Sequence, residues 1–421
     1  MQKSWILISE NSDFPLANIP YGIITTEDNS FPRLATIIGD TVIDLSQLNA
    51  MGAFEDIEGI DDFAFDSHSL NDFIAQGKGI TQAVRRRIQQ LFGKDHAELR
   101  DNTAVHSDIF YKASDVQLHL PIEIGDYTDF YSSRQHATNV GIMFRDPANA
   151  LLPNWLHIPV GYHGRASSIV VSGTDILRPS GQRMPPGAEK PVFGASQLLD
   201  FELEMAFIIG KENRLGQPVT TAEAEDYIFG LALFNDWSAR DIQAWEYVPL
   251  GPFLGKNFAS SLSPWIVTLE ALNEFRLAGP VQEPAVLPYL EYSGNGHYDI
   301  ALEVAIQPEN GEKKVVCQSN FKNMYWNMVQ QLAHHTVNGC NMRIGDLCAS
   351  GTISGDTPES FGSMLELTWR GANPIAMPDG SQRKFINDGD TVIMRGFAQK
   401  GDLRIGFGEV TGKIVNAMTA L

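Results

Sequence analysis

The segment Leu199-Asp200-Phe201-Glu202-Leu203-Glu204-Met205-Ala206-Phe207 alternates acidic and apolar side chains. In an extended strand that period sends Glu202 and Glu204 to one face and Leu203 and Met205 to the other, toward a core. Two carboxylates about 6.6 Å apart along a strand repel each other unless a cation, a proton or water lies between them. On a solvent-facing edge water would suffice. Here the flanks Leu198-Leu199 and Met205 to Ile209 are apolar, which marks a central strand, and acids on a central strand need a partner.

A second acid ends another apolar run. Phe229 to Phe234 leads into Asn235-Asp236-Trp237-Ser238-Ala239-Arg240 and on to Tyr247. Asp236 stands where strand meets helix, a natural N-cap position. Asp236, Arg240, Gln243 and Tyr247 recur at i, i+4, i+7 and i+11, one stripe of a helix. Acid, guanidinium, amide and phenol on one stripe suit a pocket wall; helix capping is the plainer alternative for Asp236. A third segment, Gly125 to His136, places Asp129 and His136 two turns apart if a helix begins near Thr128. Histidine titrates near pH ~6.5 and suits a general base, with Tyr131 and later Arg145 in its neighbourhood.

An all-oxygen set of Asp and Glu without a Cys/His pattern points to Ca2+ or Mg2+ rather than zinc. His334-His335 beside Cys340 lacks metal-finger spacing and reads as structural. Gly251 to Asn257 is one residue short of a phosphate-cradling loop and lacks its Ser/Thr, so nucleotide binding is rejected. In that turn Lys256 follows Gly255. Its apolar neighbours Phe253, Leu254 and Phe258 would bury the backbone and leave the ammonium to find an anion near Asp236.

The elements that hold these residues read as mainly β, of α+β class. The first ~118 residues form one unit: alternating strands from Phe31 to Leu45 turn at Gly39-Asp40, and helical segments follow. The run Arg85-Arg86-Arg87 reads as a solvated helix face. From 119 to 421, strand-like runs alternate with Gly/Pro loops: Ser168 to Val171, Leu199 to Ile209, Ile228 to Phe234, Ile300 to Ile306, Leu365 to Trp369 and Thr391 to Met394. Arg178 to Ala195 is an ordered excursion and Gln282 to Tyr298 a surface insertion. The chain has 421 residues, with 31 Lys and Arg against 51 Asp and Glu, a formal charge of −20. That balance argues against nucleic acid and anionic membranes as partners. No apolar run reaches spanning length, the start lacks a signal-peptide core, and three scattered cysteines fit a reducing compartment, so a cytoplasmic location is expected.

The runs Asp126 to His136, Pro153 to Arg165, Asn235 to Asp241 and Ala349 to Gly355 resemble the motifs of the fumarylacetoacetate hydrolase family. The match is close from about residue 118 onward and less motif-rich before it. The resemblance implies an SH3-like N-terminal barrel over residues 1–118, a large mixed β-roll over 119–421, and a homodimer. It implies calcium on Asp129, Glu202, Glu204 and Asp236, and magnesium near Asp236, Lys256 and Ser260. Ser260 and Ala259 stand where the family pattern has Thr and Gly; a site read through backbone carbonyls survives that change. By the same matching His136 is the base, oriented by Glu366. Arg240, Gln243 and Lys256 stabilise an oxyanion, while Tyr131, Arg145, Tyr162, Gln243, Tyr247 and Thr352 hold substrate.

The implied activity is hydrolysis of the carbon–carbon bond of 4-fumarylacetoacetate, a small anionic diketo acid, to fumarate and acetoacetate, the last step of tyrosine and phenylalanine catabolism. The alternatives are a related diketo-acid hydrolase, an oxaloacetate-type decarboxylase that needs no His–Glu base, and a binding module stabilised by calcium.

Overall fold

A strand that is apolar on successive residues can bury both of its faces. A computed structural model, describing residues 3–418, shows this arrangement. Leu203–Ile209 is buried at every position, and Ile228–Asp236 at all but Phe229. Both sit inside a mixed eight-stranded sheet ordered Gly161–His163, Tyr127–Phe130, Leu347–Ala349, Leu203–Ile209, Ile228–Asp236, Ser260–Leu262, Ile169–Val171, with Val267–Thr268 also paired to Ile228–Asp236. Two of its pairings are parallel, Leu347–Ala349 with Tyr127–Phe130 and Ser260–Leu262 with Ile169–Val171.

On one face Leu203, Met205, Phe207, Leu231 and Leu233 pack with Leu302, Val304, Val392, Met394 and Ile405. The latter belong to a five-stranded sheet built from Lys314–Asn320, Ala301–Gln307, Thr391–Lys400, Leu403–Val415 and Ile176–Leu177. On the other face Ala206, Ile208, Ala232 and Phe234 share a core with Tyr21, Ile23, Leu34, Phe73 and Val84 of the amino-terminal part. That part carries an antiparallel five-stranded sheet ordered Phe110–Lys112, Thr41–Asp44, Arg33–Ile38, Tyr21–Thr26, Val116–Leu118. Ile38 pairs with Thr41 across the expected turn, where Gly39 takes a φ of 60°. Ser180–Arg183 and Val192–Ala195 pair as a hairpin, so the Pro/Gly-rich excursion is ordered. Among the described residues no helix is long and apolar enough to cross a membrane.

Two expectations change. Arg85 is not solvated: on helix Lys78–Leu91 it is buried, and its guanidinium donates to the carbonyls of Ala17 and Asn18. A guanidinium can reach backbone acceptors past its own apolar stem, which charge counting does not reveal. Leu365 to Trp369 is not a strand: Met364–Leu367 is a helical turn whose cap, Ser363, accepts from the Glu366 amide. Asp200 accepts the next free N–H groups, of Met364 and Leu365. Satisfying these donors favours helix over an apolar run's β preference.

Candidate active site

Register explains how distant acids converge. Asp129 is paired with Ala349, Ala349 with Ala206, Glu204 with Phe234, and Asp236 with Ser260. Residues opposite each other in a ladder share a face, so Asp129, Glu204, Asp236 and Ser260 project to one side of the central sheet. Glu202 precedes the strand, where the backbone bridges to Ser363. One oxygen from each of Asp129, Glu202, Glu204 and Asp236 lies within 4.8 Å of the others, and all four residues are buried. Asp129 thus stands on a strand, Tyr127–Phe130, and not on the helix expected from Thr128. Asp236 ends its strand and caps nothing: helix Arg240–Glu246 begins after Ala239 without a side-chain cap. The proposed stripe from Asp236 to Tyr247 is therefore not helical at its first member, although Arg240 still donates to Gln243 at 3.2 Å.

Cations answer part of this charge. The Lys256 ammonium, buried, bonds Glu202 and lies 2.6 Å from Asp236. The Arg240 guanidinium lies 2.8 Å from Glu202 and 2.8 Å from Asp200. Tyr162 and Ser260 hydroxyls donate to Asp236 at 3.2 and 2.9 Å, and the Gly351 amide donates to Glu204 at 3.0 Å. Burial, then repulsion from the neighbouring acids, pushes the Asp129 and Glu204 carboxyls well up from the usual range. Burial also raises Glu202, but Lys256 and Arg240 outweigh it and hold that carboxyl low.

Asp129 Oδ1 and Glu204 Oε1 are buried with no hydrogen-bond partner. When all four carboxylates are ionised, one ammonium and one guanidinium, the latter shared with Asp200, leave at least two negative charges unanswered. A hard divalent cation fits both the orphaned oxygens and the charge.

A second cluster adjoins the first. Helix Arg134–Phe144 is capped by Ser133, and its third residue, His136, presents Nδ1 at 2.6 Å to Glu366. Glu366 also accepts from Asn139 at 2.9 Å, Ser354 at 3.0 Å and Ser363 at 2.9 Å. Burial raises this carboxyl, but the His136 ring and these donors outweigh it and hold Glu366 below the ordinary carboxylate range. Because Glu366 offers only acceptors, Nδ1 carries a proton, which leaves Nε2 as the ring nitrogen that can act as a base. The Tyr131 ring stands edge-on to His136 at 5.2 Å.

The other candidates sit at the margin. Thr352 is buried beside Gly362. Arg145 is exposed and donates to the Ala150 carbonyl at 2.6 Å. Tyr247 is 49% exposed at the end of helix Arg240–Glu246, so the fold alone does not join it to the cluster. His335 bonds the Thr128 hydroxyl at 2.8 Å and takes the structural part expected of it. Asp200, Asn139, Ser354 and Ser363 were not singled out from sequence. Asp200 did carry a signal, as the first acid of the alternation that drew attention to Glu202 and Glu204.

Of the apolar neighbours expected to bury the backbone at Lys256, Phe258 is half-buried against the core, but Phe253 and Leu254 are 66% and 45% exposed. Close approach of the turn to the helix does the rest: a Cβ on Gly255 would lie 2.7 Å from the Gln243 Cβ and 2.8 Å from its Cα and N. Gly255→Ala is expected to force Lys256 and Gln243 apart and to cost about 1–3 kcal/mol, the usual scale of overpacking. Chemical denaturation would read it, and an unchanged midpoint would show that the turn yields freely.

Comparison with known proteins places this geometry. Residues 126–415 match the family model for the fumarylacetoacetate hydrolase C-terminal region, and 17–121 that for the fumarylacetoacetase N-terminal region. The chain is 52% identical to fumarylacetoacetase of Homo sapiens over 416 residues, 99% of each protein. It is 50% identical to that of Arabidopsis thaliana over 414 residues, 98% of each. A solved fumarylacetoacetate hydrolase from Exiguobacterium antarcticum shares the fold at a TM-score of 0.53 and 19% identity, covering 95% of this chain and 100% of that one. The chain belongs to the fumarylacetoacetate hydrolase family.

Proposed function

We propose that this chain hydrolyses the carbon–carbon bond of 4-fumarylacetoacetate to fumarate and acetoacetate, closing tyrosine and phenylalanine catabolism. The observation that carries the reading is a buried His136–Glu366 pair beside a four-carboxylate cluster that also holds Lys256 and Arg240. A decarboxylase of the same family would use the acids without needing that pair, and a structural calcium site would need neither the pair nor Lys256.

Asp129, Glu202, Glu204 and Asp236 would hold calcium, which when bound supplies Lewis-acid stabilisation of an enolate. His136 Nε2 takes a proton from water, so that hydroxide adds to the carbonyl carbon, while Glu366 fixes the ring through Nδ1–H. Arg240, Gln243 and Lys256 donate to the tetrahedral oxyanion. The carbon–carbon bond then breaks, its electron pair passes to the acetoacetate carbon, and Lys256 is the donor that protonates it. Arg145 offers a fork to a substrate carboxylate, and Tyr131, Tyr162, Gln243, Tyr247 and Thr352 complete the binding surface. Magnesium would take Asp236 and the neighbourhood of Ser260; Lys256 can join it only through its carbonyl, because its ammonium is itself a cation held by Glu202 and Asp236.

This reading includes an SH3-like amino-terminal barrel, a carboxy-terminal β-roll, a cytoplasmic setting that suits three unpaired cysteines, and a homodimer. The exposed apolar residues Val248, Leu250, Phe253 and Leu254 offer area for a partner to cover.

Loss of ultraviolet absorbance on 4-fumarylacetoacetate tests the function. Consumption that stops with chelator and returns with calcium is expected; no consumption with metal restored overturns it. Glu202→Gln and Asp236→Asn are each expected to weaken calcium binding and to lower stability in its presence, since binding energy is lost from the folded state. Calorimetric titration showing wild-type calcium affinity in both variants would remove the metal assignment.

A further inference from the structure

Asp200 is fully buried, and both of its oxygens are engaged. Oδ1 accepts the Met364 amide at 2.6 Å. Oδ2 accepts the Leu365 amide at 3.0 Å and the Arg240 Nε–H at 2.8 Å. The first two donors open the helical turn Met364–Leu367, which carries Glu366. The third belongs to the first residue of helix Arg240–Glu246, which carries Gln243. One carboxylate therefore ties the support of the His136–Glu366 pair to the guanidinium beside Glu202. The backbone around it is pinned as well: Asp200 is paired with Ser238 in a short ladder, and Leu199 accepts from the Ile386 amide.

We propose that Asp200 is a positioning residue that sets the distance between the base arm and the oxyanion arm of the site, an inference that rests on the hydrolase reading above. The geometry goes beyond charge balance. An ion pair with Arg240 needs one oxygen, whereas here three donors from two separate elements converge on two oxygens of one short side chain. The Asp side chain has only two rotatable bonds, so both elements inherit its stiffness. No isosteric neutral replacement can do the same. The amide of asparagine would turn an N–H toward either the Met364 amide or the Leu365 and Arg240 donors, leaving a donor facing a donor.

Asp200→Asn and Asp200→Glu separate position from charge. Glutamate keeps the negative charge beside Arg240 and lengthens the stem by one methylene, which moves the two arms without leaving the guanidinium unpaired. Both variants are expected to lose about 30- to 300-fold in kcat, the scale of a displacement near 1 Å. KM should stay within about threefold of wild type, since the interactions lost belong to the transition state. Calcium affinity should not change in Asp200→Glu, which keeps its charge beside Arg240, whereas Asp200→Asn leaves the guanidinium to Glu202 alone and should bind calcium more weakly. Asp200→Glu should melt below wild type, because the added methylene overpacks a fully buried site, so kcat is taken per folded molecule. In double variants with Arg240→Met and with Glu366→Gln, the loss should be smaller than the product of the singles, because residues acting as a unit are not additive.

Wild-type kcat in Asp200→Glu overturns the proposal, as does a fall in kcat that only tracks loss of folded protein, or multiplicative losses in both double variants. Should Asp200→Asn fail to accumulate, Asp200→Glu decides alone. Full activity of Arg240→Met, or an inactive wild type, would instead overturn the underlying reading of the site, so the two failures are distinguishable in one assay.

Discussion

Replacing His136 by alanine is expected to remove about two to four decades of turnover, the usual contribution of a general base. Metal and substrate binding should persist, because His136 donates to none of the four clustered carboxylates. The companion change Glu366→Gln should cost a comparable factor. Glu366 takes four side-chain donors at once, from His136, Asn139, Ser354 and Ser363. An amide would turn its N–H toward some of them and unlatch the imidazole ring. The double variant should fall no further than about the worse single, since ring and carboxylate act as one device. Single-turnover kinetics would measure it, and losses that multiply would dismantle the pair.

The pH dependence follows with a definite sign. The folded-state value of Glu366 lies below its unfolded value near ~4.3. Its contribution to stability is therefore fully present above that unfolded value and is lost only as pH falls through the depressed folded one. Any loss of turnover between pH 5 and 8 must then be assigned to a group other than Glu366.

Lys256→Met is expected to lower turnover by about a hundred- to a thousandfold, as loss of one oxyanion donor does. Methionine keeps most of the stem's bulk, so the turn held by Gly255 against Gln243 should survive. What disappears is the ammonium that bonds Glu202 and Asp236. The cluster's negative excess then grows by one, and calcium should bind at least as tightly as in wild type, because a competing cation has left. Calorimetry and turnover on the same preparation check both halves. Near-normal turnover would leave Arg240 and Gln243 as the whole oxyanion site, and weaker calcium binding would show that Lys256 holds the carboxylates in place rather than competing for them.

Much of this site was legible because its residues sit in strong local patterns. The alternation around Glu202 and Glu204 announced two acids on one face of a strand, and the apolar flanks announced that the strand is central. The partner of His136 came instead from family resemblance, since 230 residues separate it from Glu366 and no local spacing encodes such a contact. Local pattern also misled. Thr128 to His136 suits a helix by spacing, but pairing with Leu347–Ala349 extends Tyr127–Phe130, and the Ser133 cap delays the helix to Arg134. Tertiary pairing overrode local preference there, as it did at Leu365, where caps on free amides outweighed a β-like composition. At Lys256 only Phe258 of the three expected neighbours packs against the core, and the close contact of Gly255 with a helix backbone is invisible to a scan for apolar side chains.

The central sheet is sealed on both faces, one by the carboxy-terminal sheet and the other by the amino-terminal part, through Ala206, Ile208, Ala232 and Phe234. Three of the four clustered acids, Asp129, Glu204 and Asp236, lie on this second face. Damage therefore travels. A lesion such as Phe73→Ala, remote in sequence from all four clustered acids, removes contacts beneath the scaffold that aligns them, and its cost of about 3–5 kcal/mol falls on the whole chain. Inherited or engineered substitutions before residue 119 should accordingly deplete the amount of working protein in a cell while leaving the chemistry of each surviving molecule intact.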